Sequence, residues 1–244
     1  MGKIMPTVFI TGSGKRIGRG LALNFADKGW NIAIHYNNSK KEAKQTFEKV
    51  KTKGVKAVLV RGDVRNYEEI ERAFDEAVDA LGIPDVLVNN AGVFPAKKKI
   101  QDLDTEMWDW VQDVNLRAHY YTSKIYKKYE PKNARIVNFA SLGGFEIWKN
   151  RLPYHASKAG ALHLTRALAR EFAPDISVNS ISPGTIFIPN EPGPDPDLIP
   201  TDKIPMRRYG SIDDIFEAVW FFSTCTPFIT GQNLIVDGGY HIQR

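Results

Sequence analysis

Short apolar runs alternate with amphipathic stretches along almost the whole of the 244-residue chain. The run at 55–60 is apolar on both faces, which is typical of strands covered by helices on both sides of a sheet. Strands are predicted at 4–10, 31–36, 55–60, 85–88, 134–140, 175–182 and 233–236. Helices are predicted between them at 16–28, 39–53, 66–82, 103–129, 153–173 and 211–224. This alternation predicts an α/β fold in three layers, a doubly wound parallel sheet of about seven strands.

One stretch departs from the alternation. Proline density at 184–206 opposes both a long helix and a central strand. A long irregular loop in a compact domain is usually functional, so we expect a lid over a substrate site there. Elsewhere nothing marks a boundary, and a single domain is expected over residues 1–244. The prolines of the stretch are Pro189, Pro192, Pro194, Pro196, Pro200 and Pro205.

The composition narrows the class of protein only slightly. With 43% hydrophobic and 25% charged residues, the chain has ordinary values for a globular protein. The net charge of +5 comes from scattered residues. The densest basic run, Lys97 to Lys99, is typical of a solvated loop, so no nucleic acid is expected as a partner.

The absence of a long apolar run predicts no membrane span, and no metal site is predicted. The start of the chain leaves no room for a signal peptide, and the single Cys225 is compatible with a reducing cytoplasm.

A glycine-rich turn follows the first strand. It runs from Thr11-Gly12 through Arg16 to Gly18 and leads directly into a helix. Unpaired N–H groups and the partial positive charge at such a helix start suit a pyrophosphate, and glycines let the backbone approach it. A glycine-rich turn alone is a weak signal, but its position between strand and helix predicts a Rossmann fold that binds a dinucleotide.

The end of the second strand indicates which dinucleotide is bound. NAD-specific sites usually place an acid there, whereas this chain has Tyr36-Asn37-Asn38-Ser39. A carboxylate would repel a 2′-phosphate, and amide, hydroxyl and guanidinium donors would bind it. Arg16 lies in the turn from which it could reach that phosphate, although it could also be a solvated cation. NADP(H) is therefore expected in preference to NAD(H).

Candidate catalytic residues lie in the second half of the chain. Tyr154 and Lys158 are four residues apart, so a helix would place them on one face. A nearby ammonium favours a phenolate and would lower the tyrosine pKa, which suits an acid/base. Ser141 follows a strand, and its hydroxyl could stabilise a developing alkoxide. Asn115, inside the long fourth helix, could bond backbone or a water near the site, or could simply be satisfied locally.

Taken in order, these motifs resemble the short-chain dehydrogenase/reductase family over nearly the whole chain. Each motif is weak, but the ordered set is specific. Besides those already described, it includes Asp63-Val64, Asn89-Asn90-Ala91-Gly92, Pro183-Gly184 and the C-terminal Gly231-Gln232-Asn233 to Asp237-Gly238-Gly239.

The resemblance implies a catalytic tetrad of Asn115, Ser141, Tyr154 and Lys158. In it, Tyr154 is the acid/base and Ser141 holds the substrate oxygen. Lys158 binds the nicotinamide ribose and lowers the tyrosine pKa, and Asn115 positions a relay water. The resemblance also implies a homotetramer and an NADP(H)-dependent oxidoreductase that acts on a small carbonyl or alcohol substrate, free or carrier-bound.

The cofactor contacts implied by the resemblance and by the residues extend along the sheet edge. Asp63 and the backbone of Val64 would contact the adenine, the turn at Asn90 would lie along the cofactor, and Pro183 would face the carboxamide. The full set is Gly12, Ser13, Arg16, Ile17, Gly18, Tyr36, Asn37, Asn38, Ser39, Asp63, Val64, Asn90, Ala91, Gly92, Tyr154, Lys158, Pro183, Gly184 and Ile186.

Two departures from the family pattern bear on the substrate. Arg16 replaces the middle glycine of the turn, as in pteridine reductases, but those enzymes commonly carry Asp where this chain has Ser141. Ile188 replaces a Thr that commonly bonds the carboxamide. The pattern is closest to 3-oxoacyl-[acyl-carrier-protein] reductases, with sugar, polyol and pteridine substrates as alternatives. A non-catalytic dinucleotide-binding regulator is the alternative from a different class. Specificity is expected to depend on 184–206 and on the segment from Phe145 to Arg151.

Overall fold

The computed structural model describes residues 5–189 and 199–242. Seven strands form one sheet in the order β3-β2-β1-β4-β5-β6-β7, and every neighbouring pair is parallel. All seven predicted strands are present, so the predicted fold class is confirmed. The strands are β1 Thr7–Ile10, β2 Asn31–Tyr36, β3 Ala57–Arg61, β4 Val86–Asn89, β5 Ala134–Phe139, β6 Ile176–Pro183 and β7 Asn233–Val236.

Helices cover both faces of the sheet and give it two hydrophobic cores. One core contains Leu21 and Phe25 from α1 together with Phe216 and Phe222 from α7. The other contains residues of α3, α5 and α6, with Phe74 stacked on Phe9 of β1. The helices are α1 Arg16–Asp27, α2 Lys40–Lys51, α3 Tyr67–Leu81, α4 Thr105–Gln112, α5 Ala118–Lys128, α6 Leu152–Phe172 and α7 Ile212–Thr224.

The long helix predicted at 103–129 is present from Thr105 to Lys128, but it is not a regular α-helix throughout. A π-helical turn, Asp113–Arg117, separates α4 from α5. Such a turn inserts one extra residue into the helix and commonly lies at a functional site. It contains Asn115, whose side chain bonds the backbone after β4 rather than its own helix. A hydrophobic period of 3.6 residues does not reveal one inserted residue, so the sequence pattern looked continuous.

The predicted lid at 184–206 is described only at its two ends. Ile186 forms a parallel bridge with Gly210, and Phe187 N–H donates to the Gly210 carbonyl over 2.8 Å. A short 3₁₀ turn, Thr201–Lys203, follows at the other end. Residues 190–198, which include Pro192, Pro194 and Pro196, lie outside the described residues. In the described part of the chain, no helix combines the length and hydropathy that a membrane crossing requires.

Candidate active site

The β1–α1 turn is packed too tightly for side chains at two of its glycines. Gly12 has a φ of +65°, a backbone conformation that favours glycine. A Cβ at Gly18 would overlap the Gly12 carbonyl oxygen and would lie 2.6 Å from Asn90 Nδ2. Thr11 Oγ1 accepts hydrogen bonds from the N–H groups of Asn90 and Ala91, so the turn is joined to the segment after β4.

The first helical turn of α1 is open to an anion. Its N-cap residue, Lys15, makes no side-chain capping bond, and no acidic residue lies in its first turn. By contrast, α3, α4 and α7 begin at the capping side chains of Asn66, Asp104 and Ser211. An uncapped helix start of this kind suits a phosphate.

Two of the predicted cofactor-binding residues in this turn have features that the sequence does not show. Ser13 N–H donates to the His35 carbonyl over 2.9 Å, and its hydroxyl donates to the Ile10 carbonyl over 2.8 Å. Both donors of Ser13 therefore shape the turn. Arg16 has a φ of +53°, which is strained for a residue with a Cβ, and it lines the same cleft as Tyr154.

His35 is a residue of this region that sequence reasoning missed. It is fully buried in β2, and burial lowers its pKa to about 4. The Gly12 N–H donates to His35 Nδ1 over 3.1 Å, so the neutral ring carries its hydrogen on Nε2, which donates to the Gly62 carbonyl over 3.0 Å. The ring thus ties the glycine turn to the end of β3. A histidine inside an otherwise apolar strand was the available signal.

The predicted adenosine end of the site contains one carboxylate, which follows β3, and none at the end of β2. Tyr36 ends β2, and Asn37-Asn38-Ser39 lead into α2. The Arg65 guanidinium bonds both oxygens of Asp63 and, with Asn37, holds the pKa of that carboxyl below its ordinary value. Val64 packs into a hydrophobic core. The Asp63 charge is therefore matched by a cation.

The structure brings Ser141 and Tyr154 together at the carboxyl end of β5. Ser141 begins the short 3₁₀ turn Leu142–Gly144, and Tyr154 lies in the first turn of α6. Burial raises the pKa of Tyr154, whereas a hydrogen bond with the Ser141 side chain and the charge of Arg151 act in the opposite direction. We expected Lys158 to lower the Tyr154 pKa; in the protein without cofactor, desolvation dominates and raises it.

Lys158 is buried one helical turn further along α6. Its Nζ donates to the Phe139 carbonyl over 2.8 Å, and burial lowers its pKa to about 8. A side chain on Gly92 would lie 3.6 Å from Lys158 Nζ and 3.3 Å from Asn115 Oδ1, so both groups approach the backbone after β4.

Asn115 bonds backbone that is distant in sequence, which was one of the expected alternatives. Its Oδ1 accepts from the Val93 N–H over 2.8 Å, and its Nδ2 donates to the Val93 carbonyl over 3.0 Å. Nδ2 also lies 3.2 Å from Ser157 Oγ. The side chain therefore holds the segment after β4 against α6.

A second buried histidine lies one helical turn beyond Asn115. His119 is 2% exposed, and neither ring nitrogen has a hydrogen-bond partner among the residues that the structure describes. Burial and the nearby Lys158 lower its pKa to about 3, so the ring is neutral. Nothing in the spacing of the motifs pointed to this residue.

Two loops form the wall beyond Tyr154. Trp148 N–H donates to His155 Nε2 over 2.9 Å, and His155 Nδ1 donates to the Gly143 carbonyl over 2.7 Å. The Phe94 ring packs edge-on against Tyr154, with 4.7 Å between ring centres, and Trp148 lies beside both. Lys98 N–H donates to the Asn150 carbonyl, which joins the two loops.

These elements enclose a cleft of about 930 Å³ along the carboxyl ends of the strands. The volume fits a nicotinamide and a small substrate. Ile188, noted as a departure from the family pattern, lies on its wall together with Thr185. Of the predicted site residues, those that line the cleft are Arg16, Ile17, Asn90, Gly92, Ser141, Tyr154, Lys158, Pro183, Gly184 and Ile186.

Comparison with known proteins agrees with this geometry. A family model described as enoyl-(acyl carrier protein) reductase matches residues 12–241. The 3-oxoacyl-[acyl-carrier-protein] reductase of Staphylococcus epidermidis is 33% identical over 245 residues, which cover 97% of this chain and 99% of the relative.

Two solved structures with the same fold carry different nicotinamide cofactors. A short-chain dehydrogenase from Burkholderia cenocepacia in complex with NADP has a TM-score of 0.91 and 27% identity, covering 98% of this chain and 100% of its own. An NAD⁺-bound xylitol dehydrogenase has a TM-score of 0.89 and 30% identity, covering 97% and 100%. The fold and the site define an oxidoreductase that acts on CH–OH or C=O groups. The chain belongs to the short-chain dehydrogenase/reductase family.

Proposed function

We propose that the protein is an NADP(H)-dependent carbonyl reductase that converts a ketone or aldehyde group to an alcohol. The observation that carries the proposal is the pairing of Ser141 with Tyr154 on the wall of a cleft that also contains the buried Lys158. A 3-oxoacyl thioester is one candidate substrate, supported by the Staphylococcus relative. We further propose a cytoplasmic homotetramer with one domain per chain.

The residues at both ends of the cleft fit a nicotinamide dinucleotide. The uncapped start of α1 can receive the pyrophosphate, with Gly12 and Gly18 allowing close approach. Pro183, Gly184 and Ile186 would hold the nicotinamide, and Asn90 and Gly92 would flank it. Without a carboxylate at the end of β2, and with Asp63 matched by Arg65, the adenosine end favours a 2′-phosphate.

The catalytic step requires a hydride and a proton. When bound, the reduced nicotinamide supplies the hydride to the carbonyl carbon. Tyr154 donates its hydroxyl proton to the carbonyl oxygen, and Ser141 holds that oxygen by a hydrogen bond. Because burial raises the Tyr154 pKa, the hydroxyl is protonated near neutral pH, the form that reduction needs. Lys158 would hold the ribose and replace the proton, and Asn115 would fix the Val93 backbone beside them.

A polyol or sugar alcohol dehydrogenase is the second candidate function. It is favoured by the xylitol dehydrogenase with a bound NAD⁺, which has the same fold and a similar degree of identity. Under this alternative the chain oxidises an alcohol, and Tyr154 accepts the proton.

The test follows NADPH oxidation with a 3-oxoacyl thioester, a dihydropteridine, a ketose and a simple diketone. Tyr154→Phe keeps the ring packed against Phe94 and should lower kcat by about 10²- to 10⁴-fold on any active substrate. Tyr120→Phe, on the exposed face of α5, is the matched control. Equal turnover by wild type and Tyr154→Phe overturns the catalytic assignment. NADPH binding without turnover on any compound favours a non-catalytic binder.

Cofactor choice is measured separately. Dissociation constants for NADPH and NADH, obtained by quenching of tryptophan fluorescence, should favour NADPH. Tighter binding of NADH would overturn our interpretation of the end of β2 and would favour the polyol dehydrogenase.

A further inference from the structure

Two aromatic side chains lie beside the proposed catalytic hydroxyl and line the cleft. Phe94 packs edge-on against Tyr154, with 4.7 Å between ring centres. The Trp148 indole lies 6.5 Å from the tyrosine ring at an angle of 21°, and it is nearly perpendicular to Phe94 at 6.4 Å. Offset and edge-to-face arrangements of this kind are the ones that aromatic rings prefer. Phe94 and Trp148 together are called the aromatic wall below.

The aromatic wall is held in place by contacts of its own. A Cβ at Gly143 would lie 2.8 Å from Tyr154 Cε1 and 3.1 Å from Trp148 Cζ3, so both rings pack directly on that glycine. The guanidinium carbon of Arg151 lies over the Phe94 ring, 4.0 Å from its centre, and a cation over a ring face is attracted to it. The wall is therefore formed before a ligand binds, and a ligand gains affinity because it does not have to order these rings.

Phe94 keeps a large accessible surface in spite of these contacts. The residue is 49% exposed, and it lies on the wall of the cleft rather than on a convex part of the surface. An accessible aromatic ring in a concave site is a surface that an apolar group of a ligand would cover. Because Phe94 also contacts Tyr154, a group that covers it must lie close to the reacting carbonyl.

The described lining residues provide few acceptors for the hydroxyl groups of a sugar or polyol. They include no aspartate, glutamate or glutamine, and a single asparagine. A buried hydroxyl group needs a hydrogen-bond partner, so a ligand with many hydroxyls would leave several of them unsatisfied here. The described parts of the 184–206 loop instead add the apolar side chains of Ile188, Ile199 and Pro200 to the cleft. The cleft therefore matches an apolar substituent better than a polyhydroxylated one.

We propose that the physiological substrate carries an aromatic ring a few bonds from the carbonyl that is reduced, and that the aromatic wall binds this ring. The ring packs on Phe94 and Trp148 while the carbonyl lies between Ser141 and Tyr154. The inference rests on the proposed function and narrows its substrate class. It favours aryl-substituted ketones and aldehydes over sugars, polyols and straight-chain acyl compounds.

The test compares three methyl ketones with the same number of carbon atoms, 4-phenylbutan-2-one, 4-cyclohexylbutan-2-one and 2-decanone. None has a conjugated carbonyl, so their intrinsic reactivity is similar. Burial alone favours the two saturated compounds because they are more apolar, whereas packing between aromatic rings favours the phenyl compound. The aromatic ratio is defined as kcat/KM for the phenyl compound divided by kcat/KM for the cyclohexyl compound. It should be about 3 to 10, measured by NADPH oxidation.

Variants that remove or keep each ring assign the effect to residues. Phe94→Leu and Trp148→Leu keep an apolar side chain without a ring, and each should lower the aromatic ratio about 2- to 5-fold. Phe94→Tyr and Trp148→Phe retain a ring and should preserve most of the ratio. Phe221→Leu is the matched control, since Phe221 on α7 is similarly exposed, at 46%, but does not line the cleft.

The outcomes separate this inference from the proposed function. An aromatic ratio of about 1 or less in the wild type overturns the inference and leaves the carbonyl reductase standing. Equal losses for all three ketones in the leucine variants also overturn it, because the rings then only support Tyr154. A ketose that is reduced with a higher kcat/KM than the phenyl compound has the same consequence. Failure to reduce any carbonyl, with NADPH bound, overturns both the inference and the proposed function.

Discussion

His35 and His119 are both almost completely buried, one at the proposed phosphate end of the site and the other beside the proposed catalytic residues. His35 uses both ring nitrogens, toward Gly12 and Gly62. His119 has no hydrogen-bond partner for either nitrogen among the described residues. A buried polar group without a partner costs stability, so the two rings contribute to folding with opposite sign.

The same contrast extends to the residues around each histidine. At the phosphate end, Ser13, Thr11 and Asn90 direct their donors and acceptors into the protein and build a preformed turn. At the catalytic end, burial shifts the pKa of Lys158 downward and that of Tyr154 upward. Shifts of this kind indicate groups whose charged forms are disfavoured by their surroundings, a common feature of active sites. The phosphate end is therefore built for stability and the catalytic end for chemistry.

The largest expected effect comes from removing the buried amine with Lys158→Met. Turnover should fall by about 100-fold or more. The free energy of unfolding at pH 7 should rise by about 1–3 kcal/mol, because a pKa lowered from 10.5 to about 8 corresponds to about 1.4 kcal/mol per unit and one hydrogen bond is lost.

The pH dependence of stability checks the sign of the change in unfolding free energy expected for Lys158→Met. The folded protein releases the lysine proton near pH 8, whereas the unfolded chain keeps it until about pH 10.5. Wild-type stability should therefore rise between pH 8 and pH 10.5 relative to Lys158→Met, measured by urea unfolding. A variant that is less stable than wild type at pH 7 would contradict the proposed contrast.

Replacing each histidine by leucine tests the contrast directly, with a smaller expected effect on stability. His35→Leu leaves the Gly12 N–H and the Gly62 carbonyl without their partner and should lower stability by about 2–4 kcal/mol at pH 7. His119→Leu removes no hydrogen bond to a described residue and should leave stability unchanged or raise it by about 1 kcal/mol. Equal losses in the two variants would remove the distinction between the two ends.

Acid titration extends the histidine test. Both pKa values are lowered, to about 4 for His35 and about 3 for His119, so both rings are neutral in the folded and the unfolded chain above about pH 6.5. The free energy of unfolding falls as the pH drops from 6.5 toward those values, because the unfolded chain takes up the protons first. The free energy of unfolding of each leucine variant should decline less than that of wild type over this pH range.

The smallest expected effect concerns Arg16, whose positive φ is strained. Arg16→Gly should raise stability by about 1 kcal/mol, since glycine adopts this conformation without a Cβ clash. It should also weaken NADPH binding more than NADH binding if the side chain reaches the 2′-phosphate. Thermal unfolding and fluorescence titration measure the two effects independently. An unchanged preference between the cofactors would assign Arg16 to the substrate side of the cleft.

Much of the fold was predictable because covered parallel strands appear as apolar runs, and all seven strands were found in this way. The helix predicted at 103–129 is present, but the sequence pattern does not reveal the π-helical turn that contains Asn115 or the hydrogen bond from the Val93 N–H to Asn115. In the site, Ser141, Tyr154 and Lys158 were identified from their spacing and do line one cleft. Ser13 donates both its N–H and its hydroxyl hydrogen to backbone carbonyls, and its contact with the cofactor stays a prediction.

The sequence by itself determined the alternation of strands and helices, the glycines of the first turn, the tyrosine and lysine four residues apart, and the absence of an acid at the end of the second strand. These features depend on neighbours within a few positions along the chain. Only the tertiary structure decided the protonation of His35, the raised pKa of Tyr154 and the gathering of Lys97, Arg151 and Lys203 around one opening. Burial and electrostatic fields are set by groups that lie far apart in sequence, so they exist only once the sheet has brought its carboxyl ends together.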